Sequence, residues 1–94
     1  MNEELLFTYL REHAPFAEWV AQYPLLADRV VSALITLNNL GRSSMLPDLL
    51  ACRDAALTLQ MIALEGRFDD VAAVFCLQYD QRARAMLPFF GSVA

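Results

Sequence analysis

Catalysis needs a positioned base, a nucleophile or a metal, and the residue types that fill those roles are few and scattered in this 94-residue chain. His13 is the only histidine, and its place beside Pro15 near a helix end reads as an exposed or capping residue. Asp69 and Asp70 are adjacent, so on a helix their side chains diverge by about 100°; they read as a helix start, with N-capping as their role. Glu12 and Glu18 stand too far apart in angle to act as a pair. Ser32, Ser43, Ser44 and Ser92 have no triad context, and Gly41, Gly66 and Gly91 are isolated, so no phosphate-cradling loop is present. Cys52 and Cys76 show no CxxC spacing and no histidine partner for zinc, and on apolar helical faces they read as core thiols. The expectation is a protein that is not an enzyme and uses no cofactor, metal or small-molecule substrate.

The bulk composition points elsewhere. Apolar residues make up 57% of the chain and charged residues 19%, against about 45–50% and about 25% in ordinary soluble domains. A domain this small has an unfavourable surface-to-volume ratio, so that much apolar surface needs a partner to cover it. Insertion into a membrane is excluded by length: the longest uncharged run, Val30 to Gly41, has twelve residues and two asparagines, and a spanning helix needs about 20. The start of the chain, MNEELLFTYLREH, has acids where a signal peptide has basic residues, which predicts a cytoplasmic protein. Net charge is −4, and the seven basic residues are all arginine and all dispersed, which argues against nucleic acid as a partner.

Apolar spacing is helical throughout, with no sustained period of two. Asn2 suits an N-cap ahead of Leu5, Leu6, Tyr9 and Leu10, and Pro15 breaks this N-terminal segment, 1–23. Phe16, Trp19, Val20 and Tyr23 then follow an i, i+3, i+4, i+7 stripe. A second helix is predicted over about Leu25 to Leu40, with Gly41 in the left-handed cap conformation. A third, capped by Ser43 or Ser44 and with Pro47 in its first turn, carries Leu46, Leu49, Leu50, Arg53, Leu57, Met61 and Leu64 to about Glu65, where Gly66 closes it. A fourth, started by Asp69 or Phe68, runs from about Asp70 to Leu87, with Val71, Val74, Phe75, Gln78 and Tyr79 on one side, and Pro88 ends it ahead of an apolar tail, 88–94. The predicted fold is one all-α domain over 1–94: four to five short antiparallel helices, with hairpins over 25–87, joined by short loops.

The Gly-Arg pairs at 41–42 and 66–67 lie 25 residues apart, and SALITLNNLGR aligns over LTLQMIALEGR with apolar positions in phase. The stretch LEGRFDDVAAVF resembles the inter-helix turn of a tetratricopeptide repeat, although the usual period is 34 residues. With LITLNNLGR and LPDLLA, it makes Leu25 to Tyr79 resemble the small tetratricopeptide-like needle-subunit co-chaperones of bacterial type III secretion systems. That resemblance implies a degenerate helical-hairpin stack that holds an aggregation-prone helical subunit in the cytoplasm, with no enzyme activity. It does not extend to the aromatic segment Phe16 to Tyr23.

Two functions follow as expectations. The first is an interaction module, a chaperone or adaptor in a hetero-oligomer that holds an amphipathic helix in an apolar groove. Its groove residues are Val31, Leu34, Asn38, Leu57, Gln60, Met61 and Leu64, with Phe89 and Phe90 at the margin and Phe16, Trp19 and Tyr23 as a second interface or as core. The second is a small acidic homodimer, pI about 4.7, that antagonises a basic partner by covering it, as a regulator or immunity protein does.

Overall fold

Three prolines mark where helices begin. The computed structural model describes residues 13–90, which form four helices: α1, Ala14–Ala21; α2, Pro24–Leu40; α3, Leu46–Glu65; and α4, Asp69–Phe90. Pro15, Pro24 and Pro47 each fall in the first two positions of their helix, where a missing N–H costs nothing because that donor has no intrahelical partner. There is no strand among the described residues. The expected cap at Asn2, the Leu5 to Leu10 stripe and the end of the tail, 91–94, lie outside them.

The two Gly-Arg corners are built differently. At the first, Gly41 is not left-handed as expected but sits at φ −62°, ψ −21°. Glycine is required there by crowding: a Cβ would run into the Leu37 carbonyl oxygen and reach contact with the Arg82 guanidinium. Ser43 then bridges the turn. Its hydroxyl donates to Asp48 Oδ2 at 2.6 Å and accepts from the Met45 N–H at 3.1 Å. The N-cap position itself belongs to Met45, so neither Ser43 nor Ser44 holds it.

At the second corner the left-handed residue is Arg67, φ 63°, and not Gly66, which lies at φ −85°. The N–H of Arg67 donates to Leu64 O at 3.0 Å and that of Phe68 to Ala63 O at 2.8 Å, the paired bonds of a Schellman ending. Gly66 serves packing instead. A Cβ on it would sit 2.8 Å from the Phe68 ring and 2.9 Å from Trp19, so glycine lets the aromatic cluster close over the corner. Phe16 meets Phe68 edge-on at 5.4 Å between centroids, and Trp19 lies 5.6 Å from Phe68 and 5.5 Å from Tyr23.

Two further expectations change at α4. Asp69 and Asp70 are exposed first-turn residues whose charge complements the helix dipole, while Phe68, whose carbonyl accepts from Ala72 N–H at 2.9 Å, takes the cap position. Pro88 does not stop the helix, which continues to Phe90. It removes only the bond to the Arg84 carbonyl, on an exposed final turn where water can replace it.

α3 is the hub. Its most extensive contact is with α4, the next with α2, and α1 packs on α2. One core cluster joins Phe16 and Val20 of α1, Val30 and Leu34 of α2, Leu59, Ile62 and Ala63 of α3, and Val71 and Phe75 of α4. The described residues form an all-α bundle of helical hairpins.

Candidate interaction surface

The side of α3 that faces the bundle mixes small and large residues. Cys52, Ala55, Ala56 and Ala63 are buried there with Leu49, Leu59 and Ile62, and small side chains let neighbouring helix axes approach closely. Further bulky residues are left outside. Leu57, Met61 and Leu64 are 41%, 58% and 45% exposed, and with half-buried Leu50 they fall within an arc of about 60°, roughly opposite Ala55 and Ile62. Leu50, Leu57 and Leu64 recur every seven residues, the spacing of a seam that receives another helix. The stripe spans about 21 Å along the axis.

Polar groups flank it. Half-buried Arg53 places one guanidinium nitrogen 3.4 Å from the exposed Asp54 carboxylate, while its Nε is buried with no hydrogen-bond partner. An exposed pair of this kind contributes little to stability. Gln60 is half-buried beside Met61.

The expected groove therefore divides. Its α3 members, Leu57, Gln60, Met61 and Leu64, share the outer face. Its α2 members do not join them: Leu34 is core, Asn38 is half-buried with its Nδ2 unpartnered, and Val31 sits beside α1 at an apolar pocket. The reason is helical phase. Ala33 of α2 and Ala55 of α3 line the groove between the two helices, and Val31 and Leu57, two positions from them, lie about 200° away around their helices. The groove that does run between these helices is of mixed character, with Asp28, Arg29, Ser32, Thr36, Asp54 and Thr58 around Ala33, Ala51 and Ala55. Of the aromatic trio, Phe16 is core, Trp19 is half-buried in the cluster and Tyr23 is exposed. Phe89 and Phe90 are both about half exposed at the end of α4. The expected groove left out Leu50 and Arg53, although the sequence sets both at helical spacing with Leu57, Met61 and Leu64.

The Cys52 thiol is quiet. Burial pushes the Cys52 thiol above its ordinary range, the Arg82 charge and hydrogen bond pull the other way, and Asp48 adds to the rise. A protonated thiol of this kind is a poor nucleophile. Cys52 lies 3.9 Å from the Thr36 carbonyl; Cys76, expected in the core, is only partly buried, and both are free. Among the described residues no three or more His, Cys, Asp or Glu side chains gather as metal ligands, and no helix is long and apolar enough to cross a membrane. No family model matches this chain, and neither a curated protein nor a solved structure is found to be similar to it.

Proposed function

We propose that this protein is a non-enzymatic interaction module that docks an amphipathic helix of a protein partner along the outer face of α3. The observation that carries the reading is the exposed Leu57, Met61 and Leu64 stripe, continued by Leu50, on a helix whose opposite face already fills the core. A helix laid on this seam supplies the apolar contacts that the chain itself does not. Fully burying a leucine or methionine is worth about 1.5–3 kcal/mol, so half-exposed side chains contribute about half that each, less the cost of ordering the complex. Arg53 and Gln60 at the edges fix register, since a polar partner for the buried Arg53 Nε favours one alignment over its neighbours.

A partner with such a helix exposes it when alone, so the module acts as a chaperone or adaptor. The resemblance of LITLNNLGR and LEGRFDDV to needle-subunit co-chaperones supports that role, and two free thiols suit a reducing cytoplasm. Co-purification from the cells that make the protein tests it. A stoichiometric helical partner, recovered with the amides of Leu50–Leu64 newly protected from hydrogen exchange, is expected. A chain that purifies without one, or whose partner protects other segments only, contradicts the reading.

A further inference from the structure

α1 and α2 enclose a half-open pocket of about 150 Å³, with Phe16 and Val20 at its floor, Ala17, Ala21 and Ala27 around it, and Val31 at its mouth. Every lining side chain is apolar, and an apolar cavity of about this volume accepts a benzene ring. At the other end of the molecule, Phe89 and Phe90 project half-exposed from the last turn of α4, while Phe16 and Phe75 are fully buried. The pocket and these rings do not meet within one chain. Val30 lies eleven residues before Gly41, Gly41 abuts the Arg82 guanidinium, and Phe90 lies eight residues beyond Arg82; the separation, about 20 Å or more at 1.5 Å per residue, exceeds a side chain's reach.

Charge matches as well. Exposed Glu18 and Asp28 adjoin the pocket residues Ala17 and Ala27, with Arg29 beside Asp28, whereas the last ten residues of α4, Gln81 to Phe90, carry Arg82 and Arg84 and no acid. We infer that the Phe89–Phe90 end of one copy seats in the α1–α2 pocket of a second copy, with Arg84 approaching Glu18 and Asp28. This contact is distinct from the α3 face proposed for the partner helix, and it joins unlike surfaces of the two copies.

Mass measurement by light scattering on the full chain tests it. The wild type is expected to rise above its 10.6 kDa monomer with concentration. The tail variant Phe89→Ala/Phe90→Ala and the pocket variants Ala21→Phe and Val31→Glu, all at exposed positions, are each expected to remain monomeric with unchanged helical circular dichroism. Mixing a tail variant, which keeps its pocket, with a pocket variant, which keeps its rings, is expected to give a complex of two chains and nothing larger. A monomeric wild type, a tail or pocket variant that associates as the wild type does, or a mixture that stays monomeric overturns the inference.

Discussion

The two faces of α3 divide its residues unevenly by size. The covered face mixes small side chains, Cys52, Ala55, Ala56 and Ala63, with Leu49, Leu59 and Ile62, whereas the open face is mostly large, Leu50, Leu57, Met61 and Leu64. Burial of large apolar side chains is the main favourable term in folding, yet four of the seven buried positions carry small ones while Leu57, Met61 and Leu64 stay exposed. The contrast teaches that α3 holds more large apolar side chains than its own core covers, and that surplus is what the proposed partner would cover.

The largest effect is expected where a large residue does sit inside. Leu59→Ala removes the fully buried leucine of the covered face and should cost about 2–5 kcal/mol in urea unfolding. Next comes the converse change: Ala56→Leu forces bulk into a fully buried alanine site and should cost about 1–3 kcal/mol, although the new residue is more hydrophobic. If that variant were as stable as the wild type, the close approach inferred for the covered face would be wrong. The third effect is smaller and depends on pH. Because the Cys52 thiol is raised, the native state holds a proton that the unfolded chain releases first. Stability is therefore full below the ordinary thiol range and falls as pH climbs through it toward the folded value. Cys52→Ala should flatten that slope above about pH 9, as read from urea midpoints against pH.

Much of the architecture was legible. Pro15, Pro24 and Pro47 fall at helix starts and the Gly-Arg pairs at corners, because the constraints there are local. What was not legible rests on three-dimensional crowding. Gly41 was expected to be a left-handed cap and Gly66 to close its helix, yet each is there to make room, for the Leu37 carbonyl in one case and for the Phe68 and Trp19 rings in the other. The left-handed site went to Arg67, one residue along. The inward face of α3 was illegible for another reason: Cys52, Ala56, Leu59 and Ala63 and the outer stripe Leu50, Leu57, Met61 and Leu64 both have helical spacing. Periodicity cannot choose between two apolar stripes on one helix. Consequently the expected groove mixed α2 residues with an α3 face that points away from them.

The central claim is that the outer face of α3 belongs to a partner and not to the fold. Its most direct test is Leu57→Gln/Met61→Gln/Leu64→Gln, with urea unfolding and partner recovery measured on the same preparation. The expected result is stability within about 0.5 kcal/mol of the wild type per substitution, the usual range for exposed sites, together with loss of the co-purifying helix. A triple variant that unfolds by as much as Leu59→Ala, or that keeps its partner undiminished, would contradict the account.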